Sequence, residues 1–147
     1  MPSLADLHRS VQETLASKRL GTPVFVRYLL RSPEQPAAVP ARLAWIAGVV
    51  RDWLGQPLER IYVQGQAKNG HLDVTLEFRQ GATAVIHWSA IAQAAAADVM
   101  ILGNHGALYH EGHAPYALPP VKPDAAIANL IDRALRSGRP ETVATGL

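Results

Sequence analysis

Histidines and a glutamate are concentrated in one short segment of the sequence, at His105, His110, Glu111 and His113. Imidazole nitrogens and carboxylate oxygens are ligands that suit zinc and similar divalent ions. The sequence therefore suggests a metal site on this segment. If these residues do chemistry, the protein would be a small metal-dependent or cofactor-independent enzyme. The segment also resembles a proline-rich loop, and the alternative interpretation is that its histidines are simply solvated.

A second group of polar residues lies on two neighbouring predicted strands. In "HLDVTLEF" polar and apolar residues alternate, which places Asp73 on one face of its strand. The next strand carries His87 and Ser89 on one of its own faces. A carboxylate beside an imidazole can orient that ring for acid/base chemistry. Alternation of this kind is more often the polarity of a surface or an interface, and the sequence favours that interpretation.

The elements that must position these residues follow from the periodicity of the first half of the chain. Ser3, with Asp6 three residues later, predicts the start of a helix that ends at Gly21. The stretch "TPVFVRYLL" predicts a strand with apolar residues on both faces, Val24, Val26 and Tyr28 on one and Phe25, Arg27 and Leu29 on the other. A second helix begins near Pro40 and is apolar almost all round, so it must be buried or shared with a partner.

Antiparallel strands dominate the second half of the predicted fold. Strands are expected at residues 58–66, 71–79 and 82–90. Residues 98–112 predict a further hairpin. The alanine run at 94–97 is compatible with either a helical turn or an extended connection, and the sequence does not decide between them. A last helix ends before Gly138. This order predicts an α+β fold in which helices pack on one face of a mostly antiparallel, open-faced sheet.

The second face of this sheet also carries apolar residues, so we do not expect it to face solvent. Large exposed apolar patches usually mark interfaces between proteins. The sequence therefore predicts a homo-oligomer, most simply a homodimer, that forms through the open face. The residues expected at this interface are Phe25, Tyr62, Val85, His87 and Trp88.

Composition sets the broad class of the protein. The 147 residues suit one domain, spanning 1–147, and 48% of them are hydrophobic, as in ordinary globular proteins. Lysine and arginine number 14 against 12 acidic residues and are scattered, which argues against a nucleic-acid partner. The chain has no cysteine, and no stretch is long and apolar enough to cross a membrane. The default expectation is a cytoplasmic protein without a membrane partner.

Four phrases of the sequence, in this order, resemble the C-terminal domain of the glucose-fructose oxidoreductase, inositol dehydrogenase and MocA family. They are "LASKRLGTPVFVRYLL", "GVVRDWLGQPLERIYVQ", "DVTLEFRQGATAVIHWS" and "LIDRALRSGRPETV". The similarity covers nearly the whole chain. It implies the open-faced sheet of this domain, which is also similar to that of dihydrodipicolinate reductase, and a relation to enzymes that act on sugars and polyols.

The sequence departs from this family in two respects. The family's enzymes hold NAD or NADP on the glycine-rich turn of an N-terminal Rossmann domain, which also supplies a lysine. The nearest glycines here, Gly103 and Gly106, lie in a predicted hairpin and do not fit. The family's Asp and the His four residues later fall, counting back from Leu54 and Gly55, on Ala41 and Trp45, and neither of these can carry a proton.

These departures favour a protein that binds and assembles over an enzyme. The resemblance implies a domain that keeps its packing but holds no cofactor and no catalytic pair. The leading hypothesis is a non-catalytic protein that self-associates through the open sheet face and also docks onto a separately encoded Rossmann-domain dehydrogenase. The alternative is the small enzyme that uses the His105, His110 and His113 loop.

Overall fold

A computed structural model describes residues 1–112 and 115–144 of the chain. The helices are α1 (Leu4–Ala16), α2 (Val39–Leu54) and α3 (Ala125–Ser137). The strands are β1 (Pro23–Ser32), β2 (Leu58–Gln66), β3 (His71–Phe78), β4 (Thr83–Ala90), β5 (Ala96–Gly103), β6 (Ala107–His110) and β7 (Glu141–Thr142).

The strands form one seven-stranded sheet in the order β6-β5-β1-β4-β3-β2-β7. Strand β1 runs parallel to β4 and antiparallel to β5, and the other neighbours are antiparallel. The predicted α+β class with a mostly antiparallel sheet is therefore confirmed. Strand β1 enters between two strands that come much later in the chain, which places the sequence-distant β4 and β5 on either side of it.

Alternation along the strands gives the sheet one covered and one open face. On the covered face, side chains such as Tyr28, Ile86 and Val99 are fully buried beneath the helices. Their neighbours in sequence point the other way and are half-buried or exposed. A period of two residues along each strand is what produces this division.

Helix α2 packs against both the sheet and the other two helices, as its apolar composition predicts. It packs against α1, α3, β1 and β4, and buried residues occur on most of its circumference. Pro40 lies in its first turn, and Gly55 ends it with φ of 65°. A left-handed residue at this place is accessible to glycine without strain, which is why the helix stops there.

The first helix begins as the sequence predicts but ends earlier. The Ser3 hydroxyl accepts from the Asp6 N–H at 3.2 Å, and the Asp6 carboxylate accepts from the Ser3 N–H at 2.9 Å. The helix ends at Ala16, and Lys18 takes the left-handed conformation with φ of 63°. The prediction that it ends at Gly21 is therefore wrong, because a separate turn after the helix inserts Leu20, which is buried, into the core.

The strands also decide the alanine run, which the sequence left open, and correct the placement of Val24. The residues after Ala95 extend β5 from Ala96, so the alanine run is partly strand and not a helical turn. Val24 is 45% exposed and does not join Val26 on the covered face. The register shifts between Pro23 and Phe25, and such a bulge interrupts the alternation by one residue.

Trp88 lies on the covered face, which corrects its assignment to the interface. It is fully buried, and its indole N–H donates to the Ser32 hydroxyl at 2.9 Å. The physical reason is the strand period, because Trp88 directly follows His87 and must point to the opposite side. Phe25, Tyr62 and Val85 lie on the open face, together with His87.

No helix within residues 1–112 and 115–144 is both long and apolar enough to cross a membrane.

Candidate functional site

The open face of the sheet carries a contiguous set of apolar side chains on β6, β5, β1 and β4. The strand register places Leu102 beside Phe25, and Met100 beside Tyr109. Leu102 and Tyr109 are 38% and 54% exposed, respectively, and the others are half-buried. We call this set the apolar patch; its members are Phe25, Leu29, Val85, Met100, Leu102 and Tyr109.

Charged residues of both signs lie within and beside the apolar patch on the same face. Arg27 lies in register between Met100 of β5 and Val85 of β4. Arg31 forms an ion pair with Asp98 at 3.5 Å. The open face is therefore neither uniformly polar, as a solvated face would be, nor uniformly apolar.

Asp73, His87 and Ser89 are brought together on this face, as the alternation of their strands predicts. Asp73 and His87 are direct partners in the β3–β4 register. The Asp73 carboxylate bonds to Nδ1 of the His87 ring, and Nε2 of the same ring lies 2.7 Å from the Ser89 hydroxyl. The side chains of Asp73 and His87 are each 35% exposed. The three groups form a continuous line of hydrogen bonds that water can reach.

A shallow groove opens at the β2 edge of the same face. It has a volume of about 100 Å³, and its lining includes Tyr62, Arg60, Thr75 and Glu77. The Arg60 guanidinium contacts Glu77 at 2.7 Å through both Nε and Nη2. This hydrogen bond holds the pKa of the Glu77 carboxyl below its usual value. Arg60 is therefore occupied by an intramolecular carboxylate.

The histidine-rich segment is only partly within the described residues. His105 is exposed in the β5–β6 turn, whereas His110 lies at the end of β6 with Nε2 2.5 Å from the Tyr116 hydroxyl. Within the described part of the chain, which includes Glu111, no three side chains that could bind a metal ion come together. His113 lies outside the described residues, so the metal site stays a prediction.

On the covered side, Trp45 occupies the place where the resemblance puts the family's histidine. The centre of its ring lies 4.8 Å from the ring centre of His8 in α1. The guanidinium carbon of Arg42 lies 5.3 Å from the Trp45 ring centre. Ala41 and Trp45 are both half-buried in α2. At the position of the family's histidine, this chain therefore has an indole ring that contacts the His8 ring and the Arg42 guanidinium.

A buried polar network links α2 to the sheet, and it was not predicted from the sequence. Arg42 donates to the Glu34 carboxylate and to the Pro119 carbonyl, each at 2.8 Å. The Glu34 carboxylate also accepts from the Ser32 hydroxyl at 3.1 Å, and Ser32 accepts from Trp88. The available signal was Arg42 itself, a charged residue in the otherwise apolar first three turns of α2. Its partners could not be identified because they are distant in sequence.

His8 is the titratable group that lies nearest to the expected catalytic position. Its Nε2 lies 2.7 Å from the Tyr28 hydroxyl. Burial lowers the pKa of His8 to about 4, and the positive charge of Arg42 acts in the same direction. Burial also raises the pKa of Tyr28. Both groups are therefore neutral near pH 7, and the spacing of His8 from Leu4 and Val11 on the apolar face of α1 was a signal of this burial.

We expect acid to destabilise the fold through His8. The unfolded chain binds a proton near pH 6.5 and the folded chain near pH 4, so unfolding takes up a proton between these values and stability falls as pH falls. The full effect is at most about 3 kcal/mol. Urea unfolding should show this loss from pH 6.5 to pH 4 in wild type but not in His8→Gln, which keeps a hydrogen-bonding side chain. The control is His71→Gln on the exposed His71; identical pH profiles for wild type and His8→Gln would contradict the assignment.

No protein-family model matches the sequence, and none of the curated proteins matches it. Solved structures do match. A protein from Sinorhizobium meliloti assigned as a myo-inositol dehydrogenase superposes with a TM-score of 0.70 at 15% identity, covering 93% of this chain and 62% of that one. The myo-inositol dehydrogenase of Lactobacillus casei, solved with NAD(H) and myo-inositol, gives 0.68 at 14% identity, covering 95% and 59%.

The myo-inositol dehydrogenase of Corynebacterium glutamicum is similar to the same degree, with a TM-score of 0.68 at 12% identity and coverage of 95% and 62%. At such identities the likeness establishes the fold alone. The fold is that of the C-terminal domain of dehydrogenases of the glucose-fructose oxidoreductase, inositol dehydrogenase and MocA type, which confirms the fold that the resemblance implied. The chain spans about 60% of the length of these dehydrogenase structures.

Proposed function

We propose that this chain is a non-catalytic binding and assembly protein of the cytoplasm, and that its open sheet face binds a second copy of itself. The observation that carries the proposal is the apolar patch, which lies on the face that the helices leave uncovered. Isolated apolar residues are normal on protein surfaces, whereas a contiguous patch rimmed by polar residues is typical of an interface.

The size of the open face suits a second copy. Strands β1 to β6, at about 4.8 Å spacing and with an average of about eight residues at about 3.3 Å each, give a face of about 750 Å². A stable interface buries about 800 Å² on each partner. Charges of both signs on the face, such as Arg27 and Asp98, allow a two-fold axis to bring unlike charges together. The same strand twist in both copies further favours sheet-on-sheet packing.

Ala41 and Trp45 support a role without catalysis. By the resemblance, they fall at the positions where the related enzymes keep their acid/base pair, and neither side chain can carry a proton. His8, which lies closest, is buried and neutral. A buried imidazole without access to a substrate has no means of acting as a general base.

The surface used for assembly can be located with single cysteines, because the chain has none of its own. We expect the maleimide reaction of Met100→Cys, in the apolar patch, to slow at least about tenfold when the protein is concentrated enough to associate. Leu135→Cys, on the outer side of α3 and 36% exposed, is the matched control and should react at one rate throughout. Protection of Leu135→Cys without protection of Met100→Cys would refute the open face as the contact.

We also propose that the chain acts beside a separately encoded Rossmann-domain dehydrogenase, for which it supplies or regulates the second domain. The support is that its fold matches about 60% of each of these dehydrogenase structures, one of which was solved with NAD(H) and myo-inositol. Affinity purification of the tagged chain from its native cells, with mass spectrometry, tests this. A Rossmann-type dehydrogenase in stoichiometric amount is expected, and recovery of the chain alone would contradict the proposal.

A further inference from the structure

We propose that Ser89 is an activated nucleophile that accepts acyl groups from small esters. Its hydroxyl lies 2.7 Å from Nε2 of His87, and Nδ1 of that ring bonds to the Asp73 carboxylate. A hydroxyl, an imidazole and a carboxylate in this order are the arrangement that makes a serine reactive. We call these residues the Ser89 relay. The inference goes beyond the proposed assembly function and does not depend on it. It concerns ester chemistry on the open sheet face, so it limits the proposed absence of catalysis to the acid/base position at Ala41 and Trp45.

The sheet holds the relay in a fixed geometry. Asp73 and His87 are opposite each other in neighbouring antiparallel strands, and Ser89 follows two residues after His87 on the same face. Strands β3 and β4 both lie inside the sheet and are hydrogen-bonded on their two sides. Groups that are held by such a backbone lose little freedom when they react, which is the advantage of a rigid element for a functional site.

Each step of the reaction balances within the relay. The Ser89 oxygen attacks the ester carbonyl while its proton passes to Nε2 of His87, and Asp73 stabilises the imidazolium that results. The carbon–oxygen bond to the leaving alcohol then breaks, and that alcohol takes the proton from His87. The product is an acyl ester on Ser89. Attack by water, with His87 again as the base, releases the carboxylic acid and restores the hydroxyl.

The surroundings of Ser89 define which acyl groups it can accept. Arg31 is its direct neighbour on β1, on the same face, although its guanidinium is also paired with Asp98 at 3.5 Å. A cation on this face would favour the negative charge that the carbonyl oxygen gains during attack. Ser89 is half-buried in a flat sheet face and is not at the bottom of a cleft. Short, unhindered acyl groups such as acetyl are therefore the expected substrates, with little discrimination of the leaving alcohol.

The test is acylation by p-nitrophenyl acetate, followed by peptide mapping of the acetyl group by mass spectrometry. Because the relay lies on the face that a second copy would cover, dilute protein is used and its monomeric state is checked by light scattering. Ser89→Ala and His87→Gln are the test variants. Ser10→Ala, at an exposed serine of α1, and His105→Gln, at an exposed histidine of the β5–β6 turn, are the matched controls.

We expect acetylation at Ser89 in wild type and in both controls, at a rate at least about 100-fold above that of His87→Gln, since a positioned base contributes about 10² or more. Ser89→Ala should lose the adduct altogether while it keeps the wild-type circular dichroism spectrum. Adducts confined to lysines and the N-terminus, or an equal rate at Ser89 in His87→Gln, would overturn the proposal.

Discussion

Replacing Arg42 with alanine is expected to lower the free energy of unfolding by about 3–5 kcal/mol. The Arg42 and Glu34 side chains are only 5% and 10% exposed, and they are joined at 2.8 Å. Removal of the guanidinium leaves the Glu34 carboxylate without its cation in a poorly solvated place. It also leaves the Pro119 carbonyl without its donor and removes the cation above the Trp45 ring. The cost arises mainly from the stranded charge, because a complete ion pair gains little over an apolar core.

Urea unfolding of Arg42→Ala and of a control measures this cost. Arg9→Ala is the matched control, since it removes an arginine whose pair with Asp6 is exposed on both sides, and it should change the free energy of unfolding by less than about 1 kcal/mol. The double variant Arg42→Met with Glu34→Leu should recover much of the loss by removing both charges. A loss below about 1 kcal/mol for Arg42→Ala would show that the network does not join α2 to the sheet as described.

Val85→Asp is expected to weaken self-association at least about 100-fold while leaving the monomer folded. Val85 is half-buried near the centre of the open face, on the middle strand of the sheet. In the monomer a carboxylate at this place would meet water and lie beside Arg27, its register partner. In the dimer the same carboxylate would be taken out of water against an apolar surface, where an ion is costly.

The matched control for this variant is Leu135→Asp, which introduces the same charge at an exposed apolar residue of α3. Its dissociation constant should stay within about threefold of wild type. Sedimentation velocity over a concentration series gives both constants, and circular dichroism confirms that the variants fold. If both variants weakened association equally, the contact would involve the helical side of the molecule and the open face would lose its assigned role.

Local patterns in the sequence predicted most of the fold because each depends on near neighbours. The capping box at Ser3, the apolar surround of α2 and the alternation of β3 and β4 all follow from residues within a few positions of one another. The same alternation brought Asp73 and His87 to one face, and it also contradicts the placement of Trp88 beside His87. Because Trp88 directly follows His87 on β4, alternation alone places the two side chains on opposite faces.

The features that the sequence did not predict depend on contacts between distant segments. The Arg42 network joins residues from β1, α2 and the loop at Pro119, and no local pattern relates them. Helix α1 ends early because the following turn buries Leu20 in the core. Val24 is exposed because the register with β5 shifts between Pro23 and Phe25. Tertiary packing overrode a plausible local signal in each of these places.

The measurement that tests the central claim most directly is the sedimentation velocity of the wild-type chain from about 1 to about 100 µM, at near-physiological salt. Self-association through the open face predicts a concentration-dependent shift from monomer to a stable dimer, which Val85→Asp removes and Leu135→Asp does not. A wild-type chain that remains monomeric at about 100 µM would contradict the account, since an exposed apolar patch would then have no second copy to cover it.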